Sequence, residues 1–286
     1  DRVLGARLGE VPTSGYTLLD VPRPKQKLVH VHADPAELGR VYEAELAINA
    51  DPRAMAAALV RLQGIDASPW SDWAKAANED YLVQSEPTVT PGALQMGEVM
   101  RHLRETLPHD AIVTNGAGNY TVWVHRFYRY RRFGTQLAPT AGSMGYGVPA
   151  AVSAKLRYPE RMVVSFSGDG CFLMNGEEFA TAVQHDANIV CIVVNNGMFG
   201  TIRMHQERNF PGHVLGTDLV NPDFADYARA CGGYGEVVER TEDFAGAFER
   251  ACSSSKPALI ELRVDPEALT PGQSLSEIRA QALGRA

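Results

Sequence analysis

Two short polar turns, each placed directly after an apolar run, constrain this chain more than any other feature. The stretch GDGCFLMNGEEFATAVQHDANIVCIVVNN opens on Gly168-Asp169-Gly170 and closes on Asn195-Asn196. The 24 residues between, 171–194, match the length of one helix and a second strand. The runs MVVSF and NIVCIVV lack the alternation of a half-exposed strand, so they read as strands buried on both faces. Such strands belong to parallel sheets covered by helices, where ligands bind at the carboxyl ends of the strands. Both turns therefore fall where a ligand would lie.

The same alternation runs through the rest of the carboxyl-terminal part. Helix 93–106 leads to strand AIVTNG, and GVPAAVSAKL leads to RMVVSFSGDG. Next, GEEFATAVQHD leads to NIVCIVVNN, and NPDFADYARACG precedes a short strand at 236–238. DFAGAFERACSS and the strand PALIELRVD follow. The segment Gly116-Ala117-Gly118-Asn119-Tyr120 makes a third polar, glycine-rich strand end. Before residue 65 the pattern is similar: an apolar run at 28–31, then Asp34-Pro35 and Asp51-Pro52 as cap-and-proline helix starts, the second helix stopping at Gly64. Between these parts the pattern weakens, and VQSEPTVTPGA carries two prolines and a glycine. The expectation is an α/β protein, a parallel sheet with helices on both faces, over 93–286. A linker at 81–92 and a partial α/β domain at 1–80 precede it.

Composition narrows the functional classes. A net charge of −7 argues against bulk attraction to nucleic acid or an anionic membrane. The basic run HRFYRYRR, residues 125–132, is expected to be a surface helix end or a subunit contact. No apolar run is long enough for a membrane span, and no signal-peptide pattern opens the chain. Four scattered cysteines, Cys171, Cys191, Cys231 and Cys252, show no metal-ligand spacing, so reduced thiols in a cytoplasmic protein are expected.

Chemically, Asp169 between two glycines offers one carboxylate beside a backbone that a phosphate can approach. Asn196 offers an amide oxygen from the next strand end, and the Met198 carbonyl lies just beyond it. Magnesium takes about six oxygens, commonly one or two carboxylates together with phosphate and water. Either turn alone is an ordinary cap or turn; the pair at this spacing points to a metal held between two strand ends.

Gly168-Asp169-Gly170 followed by Asn195-Asn196 resembles the thiamine diphosphate signature. The chain as a whole resembles the carboxyl-terminal half of the family that includes acetolactate synthase, benzoylformate decarboxylase and pyruvate oxidase. VHVHADPAELGRVY is similar to the end of that family's Rossmann-like central domain. The resemblance implies Asp169, the Asn196 side chain and the Met198 carbonyl as Mg2+ ligands. It implies Gly116, Ala117, Gly118, Asn119 and Tyr120 from one strand end, and Gly168, Gly170 and Cys171 from another, around the diphosphate. Phe199 and Gly200, in the loop beyond Met198, are expected among the cofactor-binding residues as well. Ser143 and Met144, in SMGYGVPAA, match the segment whose bulky apolar residue holds the cofactor bent; Met144 would be that residue.

The implied activity is decarboxylation or carboligation of a 2-oxo acid by a homodimer or homotetramer. The family's glutamate for the pyrimidine ring belongs to a separate amino-terminal domain of a neighbouring subunit, so this chain alone is expected to be inactive. GMFGTIRMHQER departs from acetolactate synthase proper, which has an acidic pair and a later tryptophan. Arg203, His205 and Gln206 lie where relatives line the substrate cavity, with a supporting or surface role equally open; His125 and His185 read as structural. Some relatives bind FAD or ADP in the central domain, where Arg7 and Asp34 match nucleotide-touching positions; a helix cap explains Asp34 as well. Two other readings are a non-catalytic diphosphate-binding subunit and a nicotinamide-dependent oxidoreductase. The latter is weakened by Thr121, which stands where Gly-x-Gly-x-x-Gly needs its third glycine.

Overall fold

The computed structural model describes residues 2–284. The chain divides into two compact units, one ending at Ala74 and the other starting at Lys75. The first unit holds a three-stranded parallel sheet of β1 (Arg2–Leu4), β2 (Val29–His32) and β3 (Leu46–Asn49), with β2 in the centre. Helix α1 (Pro52–Leu59) follows β3. Asp51 caps it by accepting the Arg53 and Ala54 N–H groups, and Pro52 stands where no intrahelical donor is needed. It ends at Leu59, before Gly64, and none of its residues is buried. The first cap-and-proline signal, Asp34-Pro35, gives only a 3-10 turn at Pro35–Glu37. There Asp34 caps as expected, but the three residues bury nothing, and without a packed face one turn does not propagate.

Helix α2 (Ser71–Gln84) runs into the stretch expected to be a linker. Its side chains are all exposed, so the sequence shows no apolar stripe to announce it.

The second unit then places α3 (Met96–Thr106), β4 (Ile112–Asn115), α4 (Tyr120–Phe127), β5 (Gln136–Leu137) and α5 (Gly147–Arg157). Next come β6 (Val163–Gly168), α6 (Asp169–Asn175), α7 (Glu178–Gln184), β7 (Val190–Asn195) and α8 (Gly200–Asn209). The unit closes with α9 (Phe224–Ala230), β8 (Tyr234–Val238), α10 (Thr241–Ser253), β9 (Ala258–Arg263) and α11 (Leu275–Leu283). Six parallel strands form one sheet in the order β5-β4-β6-β7-β9-β8.

Strand side chains alternate between the two faces, and each face has its own core. Val164, Phe166, Ile192, Val194 and Ile260 pack with α3, α4 and α10. Val163, Cys191, Val193 and Leu259 pack with α5, α7 and α9 on the other side. Each fully buried side chain of this kind contributes about 1.5–3 kcal/mol. The apolar strands of the sequence are thus explained: both faces are dry.

The basic aromatic run is the end of α4 and the chain beyond it. Phe127 and Tyr128 sit in the core while Arg131 and Arg132 are exposed. Cys191 is also core, and burial pushes its thiol up to about 12. All four cysteines are free. Among the described residues no helix is long and apolar enough to cross a membrane.

Candidate functional site

The chain leaves β4 toward β5 on one side and returns with β6 on the other side of β4. Strand order therefore reverses between β4 and β6, which opens a crevice outside their carboxyl ends. A cavity of about 260 Å3 lies there. Its wall takes Ala117, Gly118, Asn119 and Tyr120 from the end of β4, and Gly168, Asp169, Gly170 and Cys171 from the end of β6. Asn196, Met198, Phe199 and Gly200 come from beyond β7, and Met144 from the loop before α5. These expected residues, spread over 84 positions of sequence (117–200), meet in one place.

Two expected residues fall outside the wall. Ser143 is exposed, although its neighbours Gly142 and Met144 line the cavity. Gly116 lies behind it, pressed against Cys171: a Cβ at position 116 would come within 2.3 Å of the Cys171 sulfur.

Asp169 is the first residue of α6 and only 3% exposed. Its Oδ1 accepts the Gly170 N–H at 2.8 Å. Its Oδ2 accepts the Gly197 N–H and an Asn221 Nδ2 hydrogen, both at 2.9 Å. Burial raises the carboxyl pKa, and these donors offset only part of that rise. Its partners are N–H dipoles rather than a cationic side chain.

Asn196 Oδ1 accepts the Met198 N–H at 3.2 Å, which tightens the turn after β7. Met198 faces Asp218 in a single antiparallel bridge, held by Phe199 N–H to Thr217 and Leu219 N–H to Gly197. In that pattern the Met198 carbonyl turns away from the neighbouring segment. One carboxylate, one amide oxygen and one backbone carbonyl are thus the oxygens that Asp169, Asn196 and Met198, all in the wall of this cavity, could offer a metal. Among the described residues no group of three or more His, Cys, Asp or Glu is placed to hold a metal ion.

Cys171 Sγ takes the Gly145 N–H at 3.1 Å and lies 3.4 Å from Tyr120 Oη. Burial, then the neighbouring thiol, drives the Tyr120 pKa well above the ordinary phenol value, so the ring acts as a neutral wall.

Other wall residues carried no local signal in the sequence. Trp123 comes from α4, Thr201 and Ile202 from α8, and Val264, Ala268 and Leu269 from the chain after β9. Asn119 ties two of these segments together: its Nδ2 donates to the Leu269 carbonyl at 3.1 Å, and its Oδ1 accepts Thr201 Oγ1 at 2.8 Å. Arg203, His205 and Gln206 stay out of the wall. Arg203 binds Glu207, Gln206 binds Leu215, and His205 is exposed. His125 lies with Nε2 3.2 Å from Asn115 Oδ1.

In the first unit a separate cavity of about 140 Å3 includes Arg7, which lies near Glu37. Asp34 is not in its wall and accepts the Ala36 N–H at 2.9 Å, the capping role.

Comparison with known proteins agrees with this geometry. Residues 116–262 match the model of the thiamine pyrophosphate enzyme C-terminal TPP binding domain, and residues 3–59 match that family's central domain. Acetolactate synthase of Mycobacterium avium is 31% identical over 281 residues, covering 92% of this chain and 45% of its own length. Its Mycobacterium leprae counterpart is 30% identical with the same coverage. The isozyme 2 large subunit of Escherichia coli K12 is 27% identical, covering 96% of this chain and 50% of its own. The chain thus spans about half the length of these relatives. With more than half of its residues matched to the cofactor-binding domain and the matched strand ends meeting in one cavity, the chain belongs to the thiamine pyrophosphate enzyme family.

Proposed function

We propose that the cavity binds thiamine diphosphate through Mg2+ and serves decarboxylation or carboligation of a 2-oxo acid, as in an acetolactate synthase. The observation that carries this reading is the buried Asp169, with one oxygen engaged by two donors, beside Asn196 and the Met198 carbonyl at the strand-order reversal. This oxygen-only set with a single charge fits a hard cation that shares its remaining positions with phosphate and water. A bound cation also offsets the cost of burying the Asp169 carboxylate.

When bound, thiamine diphosphate supplies a nucleophilic carbon that adds to the substrate carbonyl and then holds the electron pair left by departing carbon dioxide. The protein's part is placement. Asp169, Asn196 and Met198 would hold the metal, while Gly118, Gly168 and Gly170 would present bare backbone in the cavity wall to a diphosphate. Met144, half-buried against the core and exposed to the cavity, would set the bend of the cofactor. Tyr120, Trp123 and Leu269 exclude water around the reacting centre.

Catalysis is proposed to need a pyrimidine-binding domain from a neighbouring subunit of a homodimer or homotetramer. Residues 93–286 would carry the diphosphate and metal, and residues 1–80 would form part of the central domain.

Titration calorimetry tests the reading. Thiamine diphosphate should bind with magnesium present, fail to bind in EDTA, and fail in Asp169→Ala. Equal binding in wild type and Asp169→Ala would sink it. Carbon dioxide release from a panel of 2-oxo acids by the full-length polypeptide then separates an enzyme from a diphosphate-binding subunit.

A further inference from the structure

The side chain that holds Asp169 from behind belongs to none of the motifs at the strand ends. Asn221, in the loop before α9, donates through Nδ2 to Asp169 Oδ2 at 2.9 Å and to Asn195 Oδ1 at 2.9 Å. The Gly197 N–H is shared between the same two acceptors, at 2.9 and 3.1 Å. The far end of Asn195 donates through Nδ2 to Glu261 Oε1 at 2.8 Å. Glu261 lies on β9 and is 1% exposed. Its Oε1 also accepts Arg263 Nε at 3.0 Å, and its Oε2 accepts the Phe224 N–H at 3.1 Å.

We propose that Glu261 and Asn221 are positioning residues for the metal-binding carboxylate: Asn221 holds Asp169 directly, and Glu261 acts through Asn195, which orients Asn221. The proposal rests on the reading of Asp169 as an Mg2+ ligand given above.

The chain of orientation follows from donor and acceptor types. Both carboxyl oxygens of Glu261 face donors, so the NH2 end of Asn195 turns toward Glu261. Asn195 Oδ1 must then face Asn221 and Gly197. Two acceptors, Asn195 Oδ1 and Asp169 Oδ2, now require the NH2 end of Asn221 between them. That orientation leaves Asn221 Oδ1 buried with no hydrogen-bond partner. An unpaired buried acceptor costs about 1–3 kcal/mol. Flipping the amide would set its oxygen against two acceptors, so the side chain keeps the unpaired oxygen and holds Asp169. With Oδ2 engaged twice and Oδ1 accepting the Gly170 N–H, Oδ1 is the less engaged oxygen and the one with more capacity for a cation.

Glu261→Gln keeps the shape and breaks the logic. In either orientation its NH2 meets a donor, the Phe224 N–H or the Asn195 and Arg263 pair. Asn221→Ala removes the last link alone.

The test is the magnesium concentration that half-saturates thiamine diphosphate binding, followed by calorimetry at fixed cofactor, with melting curves of each variant in EDTA. Outer-shell partners of metal ligands commonly shift metal affinity by about 10–100-fold, and a rise of that size in the magnesium midpoint is expected for both variants. A purely structural role would lower the melting temperature in EDTA and leave the midpoint unmoved, which would overturn the relay. If Glu261→Gln does not fold, Asn221→Ala decides by itself. Wild-type binding that ignores magnesium would overturn the cofactor reading and the relay with it. Wild-type binding that needs magnesium, with unchanged variant midpoints, overturns the relay alone.

Discussion

At Gly116 an added methyl would stand 2.3 Å from Cys171 Sγ and 3.0 Å from Tyr120 Oη, both held in the packed end of the sheet. Overpacking of this kind costs about 1–3 kcal/mol, so Gly116→Ala should lower the urea midpoint by a corresponding amount. Adding Cys171→Ala to that variant should recover part of the loss, because it removes the closest atom; strictly additive effects would contradict the contact. Met144 invites a kinetic test. If it sets the bend of the cofactor, Met144→Ala should leave calorimetric binding of thiamine diphosphate nearly intact while turnover falls about 10²-fold, the scale of a misplaced reacting group. Both residues stand out in the sequence because each belongs to a local pattern. Asn221 does not: it sits in an ordinary NPDF helix entry, where Asp223 caps α9 by accepting the Asp226 N–H. Only the fold shows it reaching Asp169.

Helices α8 and α11 lay outside what periodicity could show, because their buried faces meet each other and the cavity wall rather than the main sheet. Glu207 on α8 is fully buried and joins them. It accepts from Arg279 of α11, from Arg203 on its own helix at 3.1 Å, and from the Gly212 N–H at 3.0 Å. Arg279 first, with help from Gly212 and Arg203, holds its carboxyl at about 2. A carboxyl depressed in the folded state adds stability above its unfolded pKa, near 4.5, and loses it as pH falls toward 2. Glu207→Gln should therefore destabilise the protein at neutral pH by about 1.5–3 kcal/mol, the scale of a hydrogen bond to a charged group, because the half-buried Arg203 and Arg279 lose this carboxylate. The gap between wild type and variant in chemical denaturation should narrow steadily from pH 4.5 to pH 2. A constant gap would mean that packing, not charge, joins these helices. The same clamp presses the segment before α11 into place, and Leu269 from that segment forms part of the cavity wall.

For the whole molecule, cofactor binding and folding are linked, since a site assembled from β4, β6 and β7 exists only when the sheet does. Magnesium with thiamine diphosphate at about 100 times its dissociation constant should add roughly 2.7 kcal/mol to the stability of the second unit. EDTA should remove the gain, and a melting temperature indifferent to both additions would argue against a preformed site. The sequence by itself determined the class of fold and the strand ends that matter. Continuous apolar runs specify strands buried on both faces, and glycine, aspartate and asparagine after them are chemical requirements readable over a few residues. Tertiary structure decided what stands behind and around those ends. Strand β9 pairs with β7 so that Val193 lies beside Glu261 and Asn195 beside Arg263, and this register brings Glu261 within reach of Asn195. Register depends on the packing of both sheet faces at once, and no short window of sequence records it.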